Sequence, residues 1–243
     1  MNFIPIKTRI VMPPKDEIWD ILDGLDVKDG DVVFITSKIL AIHQGRCVKG
    51  VDKEALIKQE CTHYLPYKHH AGFMVNLTVV DNILIPSAGI DESNADGHYI
   101  LWPKDVDKLC TEIRRRLMKR HGLKNLGVVS TDSHTTPLRW GVTGITTGLA
   151  GVEPLRDLRG ESDIFGRKMG VTKVNIIDAL AGAAVLFMGE AAEQIPIVIL
   201  RGYPSGRSAN AGIKFSDTAS MKDFTIAPED DLYSPLIDMM KKN

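Results

Sequence analysis

The chain has 243 residues, 44% of them hydrophobic and 25% charged, with a net charge of −1. That length is expected to form a single domain over residues 1–243, or two intimate subdomains, with enough chain for a substantial core. Near-neutral charge gives no field favouring nucleic acid or an anionic membrane, and no run approaches the ~20 apolar residues of a membrane span.

The opening MNFIPIKTRI has no long apolar run, so no secretory leader is expected. The scattered Cys47, Cys61 and Cys110 read as reduced thiols of a cytoplasmic protein. DEIWDILDGL, residues 16–25, places Ile18, Ile21, Leu22 and Leu25 at helical spacing and predicts a helix. GDVVFITSKIL, residues 30–40, follows a Gly-Asp turn, is β-rich and reads as a strand. DKEALIKQECTHYL, residues 52–65, reads as a second helix. FMVNLTVVDNILIPS, residues 73–87, alternates on both sides of Asp81-Asn82 and predicts a hairpin turned there. KDVDKLCTEIRRRLMKRHG is amphipathic, ends at Gly122, and carries basic residues in its last turns and Cys110 on its inner stripe. LGVVSTD, VTGITTGLAGV and VTKVNII read as strands. Asp178 is the expected cap of the helix ALAGAAVLFMGE, and QIPIVILRG reads as a buried strand. Residues 203–229 predict a long polar loop and LYSPLIDMMKK a closing helix. Without a regular βαβ rhythm, the expected class is α+β with mixed or antiparallel sheets.

Three acids sit where elements end: Asp91 after the hairpin, Asp132 beside Ser133, and Glu190 after the alanine-rich helix. Carboxylate and hydroxyl oxygens on rigid element ends suit Mg²⁺ or Mn²⁺, and two such ions can clamp nucleotide phosphates. Each acid taken alone is more ordinarily a cap or a wet turn. No phosphate-loop or dinucleotide fingerprint is present. Ser37 and Lys38 at a strand end are candidates for phosphate contact. Arg46 and Arg139 are planar donors suited to carboxylate or phosphate, with surface ion pairs as the plain alternative. His63, His69 and His70 lack a metal-binding pattern and read as loop or surface residues. His134, directly after Asp132 and Ser133, is a candidate for substrate contact.

Taken in order, FIPIKT, GDVVFITSKIL…GR, AGIDESN, TDS…LRWGVTGITTGLAG, DLRGESDIFGRKM and AGAAVLFMGE…IPIVILRG resemble the coenzyme F420-0:γ-glutamyl ligases over nearly the whole chain. The resemblance implies a two-lobed α+β fold, a homodimer, and joining of L-glutamate to an acid by an amide bond through an acyl phosphate. It implies GTP as substrate, two divalent ions (Mg²⁺ or Mn²⁺) and a monovalent cation. Carried onto this sequence, Asp91, Asp132, Ser133 and Glu190 would hold metal. Thr8, Arg9, Ile10, Val11, Ser37, Lys38, Asn94 and the loop of Met188, Gly189, Ala191, Ala192, Glu193 and Gln194 would meet the nucleotide. Asp132, His134 and Arg139 are the catalytic candidates.

Two departures stand out. Ile42 occupies a position where the family usually has lysine, and DSHTTP replaces a family segment near the acceptor. They leave the acceptor open between a deazaflavin acid (coenzyme F420-0) and a folate-type pterin acid. Two other readings remain: a metal-dependent phosphohydrolase built on the same acids, and a nucleotide-binding module without turnover.

Overall fold

Val32 and Phe34 face one side of the strand Asp31–Thr36, Val33 and Ile35 face the other, and all four are fully buried. A strand apolar on both faces must lie inside a sheet covered on both sides. The computed structural model describes residues 1–68, 74–204 and 212–242. In chain order it forms β1 (Asn2–Ile6), α1 (Trp19–Asp23), β2 (Asp31–Thr36), α2 (Ser37–His43), β3 (Cys47–Val48), α3 (Lys53–Glu60) and β4 (His63–Lys68). Then follow β5 (Met74–Val80), β6 (Ile83–Pro86), β7 (Tyr99–Ile100), α4 (Val106–His121), β8 (Leu126–Thr135) and β9 (Val142–Val152). The chain ends with β10 (Leu155–Asp157), β11 (Lys173–Asn175), α5 (Ile176–Met188), β12 (Ile197–Arg201), β13 (Phe215–Ser216), α6 (Ser234–Ile237) and β14 (Lys241–Lys242).

The main sheet runs β1-β12-β2-β8-β9-β13. Its β2–β8 pair is parallel and its other pairs are antiparallel, so the sheet is mixed and the class is α+β as expected. One face packs Val33, Ile35 and Val128 against Leu22 of α1, Ile39 and Leu40 of α2, and Ile113 and Leu117 of α4. The other packs Val32, Phe34, Val129 and Leu149 against Ile177, Ala181 and Ala184 of α5. Each such large apolar side chain contributes about 1.5–3 kcal/mol by leaving water. A second, antiparallel sheet, β14-β4-β5-β6, lies by a third cluster that joins Leu56 and Ile57 of α3 to Val80, Ile85 and Trp102.

The strongest local signals hold. Asp81 and Asn82 both take positive φ (47° and 62°), as a two-residue hairpin turn requires. Gly122 ends α4 in the left-handed conformation, and Cys110 is fully buried on that helix. Other boundaries move. The strand expected over residues 30–40 stops at Thr36, and Ser37–His43 is helical because Ile39, Leu40 and Ile42 bury as a helical face. The helix expected over 52–65 spans only Lys53–Glu60, capped by Asp52, whose carboxylate accepts the Ala55 amide at 2.9 Å. The residues after it, including His63, form β4 because pairing with β5 satisfies their backbone. His69 and His70 lie outside the described residues, as does part of the long loop expected over 203–229. VTKVNII is a strand only over Lys173–Asn175. Asn175, not Asp178, caps α5, accepting the Asp178 amide at 3.1 Å. The Asp178 carboxylate instead accepts the Thr146 amide at 2.8 Å and so ties α5 to β9. The closing helix shrinks to Ser234–Ile237, and Lys241–Lys242 pair with β4.

A tight turn, Ser87–Gly89, carries the chain from β6 towards Asp91. Gly89 has φ of 67°, and a Cβ there would overlap the Trp102 ring. Gly89→Ala combines left-handed strain with overpacking against a buried ring, so it should destabilise by roughly 3 kcal/mol. The urea midpoint measures this; an unchanged midpoint would refute the close packing under the Asp91 loop.

Candidate active site

The acids singled out from the sequence come from three separate elements and face one cavity. Asp132 and Ser133 lie on β8, just past a register shift at Ser130/Thr131. Asp91 is pinned by two backbone bonds to Ile100, 3.0 and 2.8 Å, in an isolated bridge. Glu190 follows Gly189 at the end of α5, where φ of 77° turns the chain and a Cβ would collide with the Glu193 side chain. The cavity measures about 320 Å³, within the ~300–1,000 Å³ of small-molecule sites.

Two backbone segments form its rim. Thr8, Arg9, Ile10 and Val11 line one side, and Met188 through Pro196 another. The Thr8 amide donates to the Gln194 carbonyl at 3.0 Å, joining them. Within the second segment Glu193 accepts the Ala191 amide at 2.8 Å. Asn94 Nδ2 donates to the Ala191 carbonyl at 2.7 Å, which ties the Asp91 loop to that segment. Thus Asn94, Met188, Gly189, Ala191, Ala192, Glu193 and Gln194 all border the cavity. Its floor is apolar, with Ile39, Ile42 and Val185.

Ser37 is buried and does not line the cavity, but its hydroxyl donates to Asp132 Oδ2 at 2.8 Å and orients that carboxylate. Lys38 lines it and reaches Asp91 Oδ2 at 2.6 Å. Arg9 lines it as well, yet its guanidinium is committed elsewhere: to Asp16 at 2.6 Å, to Asp20 at 2.9 Å and to the Glu17 carbonyl at 2.7 Å. Arg9 therefore organises the segment that follows β1. Arg46 is also committed, to Glu60 and the Trp102 carbonyl, away from the cavity. His134 stands half-buried further along β8 and Arg139 is exposed between β8 and β9; neither borders the cavity. Sequence reasoning missed Ser93, which binds Lys38, and Asp16 and Asp20, which hold Arg9. Ser93 could have been found as a neighbour of Asp91 within DESN; the arginine's partners have no local signature.

The charged side chains lining the cavity are Asp91, Asp132, Glu190 and Glu193 against Arg9 and Lys38. Burial pushes Asp132 up to about 6, with the charge of Asp91 adding to the rise and the bonds from Ser37 and the Ser133 amide opposing it. Burial also raises Glu190, helped by Asp91 and Glu193 and opposed by Ser133. At Asp91 burial acts upward too, but Lys38 and the Ser93 amide outweigh it, and this carboxyl falls below its ordinary value. Burial lowers His134 against the pull of Asp178, so its imidazole is neutral at pH 7. Among the described residues, no three His, Cys, Asp or Glu side chains stand close enough to grip a metal as they are. The donor set nevertheless fits one in kind: hard carboxylate and hydroxyl oxygens, with more negative charge than the neighbouring cations balance.

The raised Asp132 has a consequence for stability. Its folded value lies above the unfolded one, so the native state binds the extra proton, and stability is lost as pH rises from about 4 through about 6. Asp132→Asn removes the charge and keeps an acceptor for Ser37. Discounted for the partial exposure of Asp132, it should stabilise the ligand-free protein by of the order of 1–2 kcal/mol at pH 7.5 and by little at pH 4. Thermal melts at the two pH values test this; a variant less stable than wild type at pH 7.5 would contradict it.

The family model described as F420-0:Gamma-glutamyl ligase matches residues 5–202, which include every residue lining the cavity. The coenzyme F420:L-glutamate ligase of Methanothermobacter thermautotrophicus is 35% identical over 210 residues, covering 79% of this chain and 82% of that protein. The enzyme of the same name from Methanocaldococcus jannaschii is 32% identical over 195 residues, covering 72% of this chain and 77% of that protein. That of Methanosarcina mazei is 32% identical over 213 residues, covering 81% and 83%. With the cavity acids inside the matched span and the α+β frame in place, the chain belongs to the F420-0:gamma-glutamyl ligase family of ligases.

Proposed function

We propose that this chain joins L-glutamate through an amide bond to an acid of the coenzyme F420-0 type, with GTP as phosphoryl donor and divalent metal as cofactor. The observation that carries the reading is the cavity that gathers Asp91, Asp132, Ser133 and Glu190 between the 8–11 and 188–196 segments. A carboxylate is a poor electrophile. Its oxygen would attack the γ-phosphorus, the bond to the β–γ bridging oxygen would break, and an acyl phosphate and GDP would result. The free amine of glutamate would then attack the acyl carbon, phosphate would leave, and the amine would lose its proton. Such transfers depend on positioning and on neutralising charge.

Asp91, Asp132, Glu190 and the Ser133 hydroxyl would hold the divalent ions, which when bound supply charge neutralisation for the phosphate oxygens. Ser37 keeps Asp132 turned for that task. Asn94 keeps the two rim loops at a fixed spacing. His134, next to Ser133 on β8, would be placed for contact with a substrate that extends beyond the cavity. Arg139 is exposed and its guanidinium, among the described contacts, meets the neighbouring Leu138 carbonyl, so it would be available to an acceptor carboxylate.

The deciding assay is phosphate release with GTP, Mn²⁺ and L-glutamate against deazaflavin and pterin acids, with mass spectrometry of the products. The expected result is a mass gain of one glutamyl unit on the deazaflavin acid and phosphate release that needs both glutamate and acceptor. Release indifferent to glutamate would identify a phosphohydrolase. Transfer to the pterin acid alone would move the acceptor, in keeping with Ile42 and DSHTTP.

We also propose that two copies associate. Asp178 is the only charged residue of α5, yet this apolar helix leaves Leu186 82% exposed. Beside it, past Gly144 and Thr143 of β9, the β8–β9 tip presents Leu138 and Trp140 almost wholly to solvent. An apolar helix face of this kind calls for a covering partner. Light scattering should give a dimer mass for the wild type and a monomer mass for Trp140→Glu combined with Leu186→Glu. A dimer that survives both substitutions places the interface elsewhere.

A further inference from the structure

The Lys38 ammonium has three protons and three oxygen acceptors. Asp91 Oδ2 lies at 2.6 Å, the Ser93 carbonyl oxygen at 3.0 Å and Ser93 Oγ at 2.9 Å. Lys38 stands in the first turn of α2, whereas Asp91 and Ser93 belong to the loop beyond β6, so the bond links two separate parts of the cavity wall. Its side chain is 24% exposed and that of Asp91 40%, so solvent screens the pair in part. Arg9, the other cation lining the cavity, is held by Asp16 and Asp20. Lys38 is therefore the lining cation that touches one of the three acids, and those acids do not close on a common point.

We propose that Lys38 is a resident cation that occupies the Asp91 carboxylate until nucleotide arrives, and so makes metal binding depend on nucleotide. This rests on the metal-dependent reading given above. A divalent ion reaching Asp91 in the empty protein meets a positive charge already bound to that carboxylate. Phosphate oxygens offer the ammonium an alternative set of acceptors within reach of a flexible four-carbon stem. When Lys38 turns to them, Asp91 is freed for metal and the repelling charge is compensated. The same side chain thus opposes metal in the empty site and favours nucleotide.

Two binding measurements on the full chain test this. The first is Mn²⁺ binding without nucleotide, read from the paramagnetic resonance of the free ion. Lys38→Met should bind Mn²⁺ about ten-fold more tightly than wild type, because a competing cation is removed. Lys38→Arg keeps the charge and should stay near wild type. Adding Asp91→Asn to Lys38→Met should abolish the gain, which separates a freed carboxylate from a general loosening. The second is calorimetry with a non-hydrolysable GTP analogue, whose affinity should fall in Lys38→Met. Opposite signs for metal and nucleotide are not expected of a residue with a merely structural role. Equal or weaker Mn²⁺ binding by Lys38→Met overturns this proposal and leaves the ligase reading standing. A Lys38→Arg variant that binds Mn²⁺ like Lys38→Met also overturns it. Absence of Mn²⁺ binding in every variant, with and without the analogue, overturns both the proposal and the metal dependence of the ligase reading.

Discussion

Mutual repulsion among the carboxylates facing one cavity is the condition to which the rest of the site is fitted. Asp91, Asp132 and Glu190 arrive from a loop, a strand and a helix end, and burial raises two of them further. Nothing in folding favours that arrangement for its own sake. It persists because each acid has its own compensation: Ser37 and the Ser133 amide at Asp132, Lys38 and the Ser93 amide at Asp91, and Ser133 at Glu190. A site that holds excess like charge in this way is under-neutralised by its own chain. That is the state expected where a cation and a polyanionic substrate must both enter, and it is obtained at some expense of stability.

The frame that tolerates this repulsion is conventional in its physics. β2 and β8 run parallel in the middle of the main sheet up to Thr131, with apolar layers on both faces, and β9 continues the pairing past Asp132. Several departures from ordinary backbone lie where the acids are presented, though others, such as Asp105 and Leu138, lie elsewhere. Ser87, Ala88, Asn94, Asp96 and Gln194 all take positive φ, as do Gly89, Gly97 and Gly189. Those conformations cost about 1 kcal/mol or more at a residue bearing a side chain. Those on the loops beside Asp91 and Glu190 turn the chain where the carboxylates are placed. The hairpin turn at Asp81-Asn82 has the same backbone signs, but there the strand twist explains them fully.

What could be read from the sequence follows from how local each determinant is. The amphipathic stripe of α4, its Gly122 stop and the Asp81-Asn82 turn are set by neighbours within a few residues, and all were legible. α2 was not, because the apolar residues of VVFITSKILAI resume after only three polar ones, Thr36 to Lys38, and a run as short as Ile39 to Ile42 suits a strand as well as a helix. β4 was hidden for a different reason: its backbone is satisfied by β5 and β14, one of them far away in the chain. The cap of α5 fell on Asn175, three residues before the expected Asp178, because the helix begins at Ile176 within a stretch that reads as a strand. In the site, Asp91, Asp132, Ser133 and Glu190 were visible as oxygen donors at element ends and as positions shared with a family pattern. Which cation is free and which is committed was not visible. Arg9 finds Asp16 and Asp20 through a fold of the chain after β1, and Lys38 finds Asp91 and Ser93 across more than fifty residues.

Ile42 draws these threads together. It is almost fully buried in the cluster beneath β2, and it also forms part of the cavity floor with Ile39 and Val185. A lysine there, as the family resemblance would place it, would put a second ammonium one helical turn from Lys38, on α2. With isoleucine, that part of the cavity lining is apolar, and α2 supplies the cavity with one lysine rather than two. Arg9 cannot replace the missing charge without releasing Asp16 and Asp20, on which the shape of the 8–11 segment depends. In this chain, then, charge compensation of the acids among the described cavity-lining side chains falls to Lys38. A site with a second lysine could neutralise phosphate and keep Asp91 occupied at the same time. Among the described residues this site has a single lysine, so under the nucleotide reading proposed above its contact with Asp91 and a contact with phosphate would be alternatives.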